Sequence, residues 1–495
     1  MRRSTEAPRA SVSKDSASNY RGTALCWYAA PHGVAASHRQ REHTLGITFV
    51  QKSDLSRPRP DARRALVLAG GAISGGSFKL GGLAALNRYL TNTKVTDFDI
   101  YMGISAGAFL AAPIAAGIEP EELVEAVVGE PGKISRFKLF DFYHPNWREF
   151  LQRPAYLVRD AVAFAPAMWL RLARAVPRTL PAMRKRALDF MADPSFETAE
   201  AVVVPYLTEV AKHRSTKRYG YLPSGLFDNS KIEAYIRHNL ERNGLPNSFR
   251  QLKLLRGKSL YIGATNIDTA QGVVFGHDED NSVTISEAVQ ASTAIPGFFR
   301  PARVGPPGRE QDYVDAAVRK TANISTAVHH GAELVICYNP FRPIVNYRHR
   351  LASGDRSSLS DLGMPVIINQ AFRTLLHSRL RLGIEKLRID ESFRGDVILV
   401  EPTETDARFF AMNPVAFWER GAAAEHGFQS VKQSLAKHDH TLAKILAAYG
   451  IGVDVNAIGD TLRVPEEARR ERAAASDEDR RAGKPRLRLV AGGRR

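Results

Sequence analysis

From residue 65 onward, short apolar runs that stop at glycines alternate with longer stretches whose apolar residues recur at helical spacing. Ala65-Leu-Val-Leu-Ala is such a run, and its ending in glycines is what a buried parallel strand looks like. A helix is predicted from about Phe78 to Leu90, then a second strand at Phe98-Asp-Ile-Tyr-Met. The text Gly103-Ile-Ser-Ala-Gly follows, and an alanine-rich helix stops near Gly117. Strand, helix, strand, helix predicts a parallel sheet covered on both faces. Strand patterns return at Leu260-Tyr-Ile-Gly-Ala-Thr and Gly272-Val-Val-Phe. After them comes a helix opened by a capping box of Thr284 with Glu287 and ended by Pro296-Gly297. Tyr313-Val-Asp, Leu334-Val-Ile-Cys-Tyr and Asp396-Val-Ile-Leu-Val are further short strands. The expected fold class is α/β, a three-layer α/β/α sandwich around a central, mostly parallel sheet.

The pattern also divides the chain. Residues 1–62, rich in Ser, Arg, Ala and Pro and ending in Ser56-Arg-Pro-Arg-Pro-Asp, read as a flexible basic leader. Residues 63–340 carry the α/β domain, interrupted at 133–217 by a basic helical insertion or lid with breaks at Pro166, Pro177 and Pro181. Residues 341–463 read as a mainly helical part packed on that domain, and 464–495 as a disordered charged tail. No apolar run reaches the roughly 18–20 residues of a membrane span. The best candidate, Ala161 to Leu172, is broken by Pro166 and Arg171. Without a cleavable apolar leader the expected location is cytoplasmic or peripheral to a membrane.

A formal charge of +17 favours anionic partners, either nucleic acid or an anionic lipid surface. Zinc-type Cys/His spacing, an aromatic-basic ribonucleoprotein pattern and HExxH are all missing from the sequence, so no nucleic-acid partner, metal or cofactor is expected. The two cysteines, Cys26 and Cys337, form no spacing motif and read as bystander thiols.

Chemistry concentrates in three places. Gly103-Ile104-Ser105-Ala106-Gly107 lies between a strand and a helix, the context in which G-x-S-x-G forms a nucleophile elbow. Gly103 and Gly107 are needed there because side chains would strike the neighbouring strand and helix. Leu68-Ala-Gly-Gly-Ala-Ile-Ser-Gly-Gly-Ser-Phe-Lys-Leu-Gly81 is a glycine-rich turn that offers backbone N–H groups to an anion. It meets neither the dinucleotide nor the Walker spacing. Asp315 ends a predicted strand, and a serine hydroxyl needs a His, Lys or carboxylate within hydrogen-bond reach to become a nucleophile.

These pieces resemble the landmarks of the patatin-like phospholipases over residues 64 to 340. Besides the glycine loop with Gly81-Gly-Leu-Ala-Ala-Leu and the elbow, the resemblance includes Ala291-Ser-Thr-Ala-Ile-Pro-Gly-Phe-Phe and Val314-Asp-Ala-Ala-Val. It implies a lipid acyl hydrolase with Ser105 as nucleophile, Asp315 as general base of a Ser-Asp dyad, and an oxyanion hole formed by Gly70, Gly71, Ala72, Gly75 and Gly76. It implies no catalytic histidine. Two departures stand out: Ala72 occupies the place of a third glycine in a loop without the family's basic residue, and Asp-Ala-Ala replaces Asp-Gly-Gly or Asp-Gly-Ala.

Two rival readings remain open at this point. One is an α/β-hydrolase with a Ser-Asp-His triad drawing on His329, His330 or His377, and the other a non-catalytic lipid-binding scaffold. Within the insertion, Trp169, Leu172, Val176, Leu180 and Met183 recur at helical spacing, with Arg171, Arg174, Arg178 and Lys185 on another face. Contact with an anionic membrane surface or a lid over the core are both consistent with that pattern.

Overall fold

In the computed structural model, residues 46–129, 132–153, 222–347 and 358–462 are described, together with a few helical positions between 184 and 191. The amphipathic pattern at Trp169 to Met183, residues 1–45 and the tail from 463 lie outside the described residues.

The sheet comprises nine strands among the described residues. Its path runs β1 (Ile47–Gln51), β11 (Asp396–Val400), β10 (Leu334–Tyr338), β2 (Arg64–Leu68), β3 (Ile100–Ile104), β5 (Ser259–Asn266), β9 (Gln311–Asp315) and β8 (Ala302–Val304). A ninth strand, β6 (Gly272–Gly276), also pairs with β5, while β4 (Gly225–Phe227) and β7 (Gly297–Phe299) form a separate parallel pair. The five central strands β11, β10, β2, β3 and β5 are mutually parallel. Antiparallel strands flank them on both margins.

Side chains alternate across each strand, and the two faces bury different partners. Leu66, Leu68, Tyr101, Ile262 and Ile336 face a core shared with helices α1 (Ala72–Tyr89), α2 (Ala106–Ala115), α3 (Ile285–Thr293) and α5 (Arg420–Ala448). Ala65, Val67, Met102, Val335 and Leu399 face a second core with α4 (Met364–Ile389), which contributes Leu376, Leu380, Ile384 and Leu387. Burial on both faces explains why β2 and β10 read as unbroken apolar runs. The three-layer sandwich is therefore observed, with a sheet that is parallel at its centre and mixed overall.

Two expectations about boundaries change. Ile47–Gln51, placed in the leader, is an edge strand in antiparallel register with β11, from Ile47 opposite Val400 to Gln51 opposite Asp396. Its five residues are too few to show a period against the polar text around them. Helix α1 starts at Ala72 rather than near Phe78, so most of the glycine-rich text is helical. The physical reason is helix packing. A Cβ on Gly81 would lie 1.7 Å from the Ala424 carbonyl oxygen, and one on Gly427 would lie 1.9 Å from that of Phe78. Helices α1 and α5 thus touch backbone to backbone, which only glycine permits at these positions.

Gly81→Ala is expected to lower the thermal unfolding midpoint by the equivalent of about 1–3 kcal/mol, the range for overpacking a tight interface. Gly383 on α4 has no atom within 4 Å of a built Cβ, so Gly383→Ala serves as the control. It is expected to raise the midpoint by the equivalent of up to about 1 kcal/mol through helix propensity.

Candidate active site

Strand β3 delivers Ser105 to the first turn of α2 in a backbone conformation with φ 54° and ψ −127°. Positive φ is costly for a residue with a Cβ. Among the described non-glycine residues only Ala72, Ser105 and Ala270 adopt it, and two of these three belong to this site. The turn is held by close contacts on both sides. A Cβ on Gly103 would lie 2.5 Å from Ala108 Cα, and one on Gly107 would lie 2.0 Å from the Leu68 carbonyl oxygen. The Ser105 N–H is anchored by donation to Ser292 Oγ at 2.8 Å. Ser105 itself is buried, yet it lines a cavity.

Register places Asp315 beside it. Ile104 pairs with Gly263 in the parallel ladder of β3 and β5, and continuing by one residue sets Ser105 level with Ala264. Ala264 in turn pairs with Asp315 in the antiparallel ladder of β5 and β9. Ser105 and Asp315 therefore flank one residue of β5, with α-carbons about two strand spacings, roughly 10 Å, apart. Their side chains reach toward each other across that gap, and the Ser105 hydroxyl lies near enough to the carboxylate to favour its charged form. Asp315 Oδ1 also accepts the Ala317 N–H at 2.8 Å. Burial outweighs both contacts and the nearby Lys79 charge, pushing the Asp315 pKa up to about 6.

The glycine text divides differently from the expected oxyanion loop. The Gly75 N–H donates to the Gly71 carbonyl at 2.9 Å, and Gly76 lies inside α1, where its amide belongs to the helical ladder. The amides of Ile73 and Ser74 both donate to the Pro414 carbonyl, at 3.0 and 3.2 Å. Gly75 and Gly76 are thus removed from the donor set and act as spacers: a Cβ on Gly76 would sit 3.1 Å from Ala106 Cβ. The amides of Gly70, Gly71 and Ala72 have no acceptor among the described residues. Gly70 runs against Ser105, with a built Cβ 3.3 Å from Ser105 Cβ.

Two of the candidate histidines are engaged elsewhere, and His329 packs edge-on against His330. His377 pairs with Glu401 at 3.3 Å, and His330 pairs with Glu279 at 3.0 Å while stacking on Tyr261. Neither Ser105 nor Asp315 has a histidine among its hydrogen-bonding partners in the described residues. Three groups that frame the site escaped the sequence reading. Ser292 sits in a quoted landmark but had no assigned partner, and Pro414 is distant in sequence and left no signal. Lys79 was visible as a lysine set in glycine and apolar text.

A cavity of about 70 Å³ opens beside Ser105 between α1, α2 and α3. Leu80, Phe109, Phe137, Phe142 and Phe299 line it, leaving a wall that is almost wholly apolar. Such a wall suits a hydrocarbon chain.

The family model for the patatin-like phospholipases matches residues 66–328, which contain the elbow, the glycine text and Asp315. The chain belongs to the patatin-like phospholipase family. Among solved structures it is similar to VipD from Legionella pneumophila, with 16% identity, a TM-score of 0.31, and coverage of 89% of this chain and 78% of that one. It is also similar to the type III effector protein ExoU, at 16% identity and a TM-score of 0.30, covering 86% of this chain and 64% of that one. Full-length ExoU of Pseudomonas aeruginosa in complex with SpcU matches at 17% identity and a TM-score of 0.24, covering 87% and 70% of the two chains. No curated protein sequence matches. Membership in the patatin-like phospholipases supports a lipid hydrolase. None of its described helices is long and apolar enough to cross a membrane.

The raised pKa of Asp315 has a consequence for stability. Below its unfolded value of 3.8 both states are protonated, while above about 6 the folded state holds a charge it disfavours. Asp315→Asn removes that penalty, so the variant is expected to gain up to ~3 kcal/mol over the parent at pH 8. The gain should fade as pH falls from about 6 toward 4, which thermal unfolding across that range would show.

Proposed function

We propose that this patatin-like phospholipase is a serine esterase that hydrolyses acyl esters of membrane lipids through a Ser105–Asp315 dyad and an acyl-enzyme. The observation that carries the reading is the register that sets Ser105 and the buried Asp315 carboxylate on either side of Ala264.

In this mechanism Asp315 takes the Ser105 proton as Oγ bonds to the ester carbonyl carbon. The resulting oxyanion is held by the free amides of Gly70, Gly71 and Ala72, with the N-terminus of α2 favouring the developing charge. When the tetrahedral intermediate collapses, the C–O bond to the alcohol breaks and the protonated Asp315 gives its proton to that oxygen. Water then attacks the acyl-Ser105 carbonyl, Asp315 accepting one of its protons and returning it to Oγ as the fatty acid leaves. The acyl chain occupies the apolar cavity lined by Phe109, Phe137 and Phe299. A pKa near 6 suits Asp315 to this work, because a base stronger than an ordinary carboxylate accepts the serine proton more readily and remains ionised at neutral pH. The substrate supplies the electrophile and Asp315 supplies the base.

Hydrolysis of p-nitrophenyl butyrate, a soluble short-chain ester, tests the dyad. Ser105→Ala and Asp315→Asn are each expected to lower kcat/KM by at least about 10³-fold while remaining folded. Alanine at His329, His330 or His377 should change it by less than about threefold. Parental turnover in either dyad variant, or collapse in a folded histidine variant, contradicts the mechanism. In the parent, kcat should decline as pH falls through about 6, because the proton that Asp315 gains blocks its action as a base.

A further inference from the structure

Helix α1 buries a lysine that the mechanism above leaves without a task. Lys79 lies between Phe78 and Leu80 with no solvent exposure, and no carboxylate forms an ion pair with it among the described residues. Its ammonium donates to the carbonyl oxygens of Ala69 and, at 2.9 Å, of Gly70. Burial pushes its pKa down to about 7, against the raising influence of the Cys337 thiol on β10 and the Asp315 carboxylate on β9. Burying such a cation is unfavourable, and a leucine or methionine would serve a purely packing role better. A buried cation of this kind points to the groups it touches.

What it touches is the backbone of the segment that passes Ser105. In a trans peptide the carbonyl of one residue and the N–H of the next point to opposite sides of the chain. Drawing the Ala69 and Gly70 carbonyls to one ammonium therefore turns the N–H groups of Gly70 and Gly71 the other way. Those two amides have no acceptor among the described residues, and Gly70 lies against Ser105. The other N–H groups nearby, of Ala69, Ile73, Ser74 and Gly75, are bonded to carbonyls of Tyr338, Pro414, Pro414 and Gly71. The segment is otherwise weakly determined: Gly70 and Gly71 place few restrictions on φ and ψ.

We propose that Lys79 is a positioning residue for ester hydrolysis, fixing the Ala69 and Gly70 carbonyls so that the Gly70 and Gly71 amides face the oxyanion formed on Ser105. The proposal rests on the Ser105 mechanism. Lys79 touches neither substrate nor Ser105 and acts through the backbone it holds. Its charge has a second effect, since it lowers the pKa of Asp315.

The test compares Lys79→Met and Lys79→Gln with the parent. It uses turnover of p-nitrophenyl butyrate, inhibition by an alkyl trifluoromethyl ketone, the pH profile of kcat and thermal unfolding. The ketone accepts the serine Oγ at its carbonyl carbon and generates the same tetrahedral oxyanion. Lys79→Met is expected to lower kcat about 10- to 100-fold with KM within about twofold, and to weaken ketone binding by a similar factor. Its acid limb should move to higher pH, because Asp315 loses a neighbouring positive charge. Lys79→Gln keeps two N–H donors without the charge and should recover part of kcat, giving the same readouts if the methionine variant does not fold. Parental kcat per folded molecule, or a lower kcat with unchanged ketone affinity and an unmoved acid limb, overturns the proposal. Equal ketone affinity in the parent and in Ser105→Ala overturns the Ser105 mechanism itself, a result distinguishable from failure at Lys79.

Discussion

A carboxylate removed from water and set beside a serine governs the chemistry and the architecture of this molecule. Asp315 is almost fully buried, and only the Ser105 hydroxyl, the Ala317 amide and the more distant Lys79 charge favour its ionised form. Burial wins against all three, making Asp315 a stronger base than an aspartate in solution. That environment requires both faces of the sheet to be covered. Helices α1, α2, α3 and α5 close one face and α4 the other, so the three-layer architecture creates the low-dielectric surroundings in which the pair sits.

The same region holds several locally unfavourable features. Ser105 and Ala72 have positive φ, Lys79 is a buried cation, and Asp315 has a raised pKa. Each costs stability, and the surrounding structure offsets that through close packing, most visibly where α2 meets β2 at Gly107 and α1 meets α5 at Gly81 and Gly427. Their concentration around one serine is the pattern of a preorganised site, in which backbone dipoles are arranged before substrate arrives. The apolar cavity adjoining Ser105 belongs to the same region, and in the proposed mechanism it takes the acyl chain.

Legibility in the sequence followed the range of the interactions. Ser105 was readable because its strand, turn and helix are contiguous, and the needs for Gly103 and Gly107 arise within a few residues and one neighbouring strand. Asp315 was not readable from its own surroundings, because its place beside Ser105 comes from two ladders that meet at Ala264. The family's text supplied that assignment. The glycine segment was read as a loop because glycines suggest turns, whereas several of them permit α1 to approach α5 and Ala106. The amides that this removes, those of Gly75 and Gly76, could not be identified without the helix start at Ala72. Edge strand β1 was hidden in polar text for a similar reason: its partner β11 lies 351 residues away in register, Thr48 opposite Leu399.

Activation of Ser105 by Asp315, the core of the proposed mechanism, is read out by covalent labelling. A fluorophosphonate forms a phosphorus–oxygen bond only with an activated serine, expelling fluoride, so intact mass and peptide mapping report both reactivity and position. The account predicts one adduct on Ser105 in the parent, none in Ser105→Ala, and much slower labelling in folded Asp315→Asn. An unlabelled but folded parent, an adduct on another serine, or equal labelling rates in the parent and Asp315→Asn would contradict it.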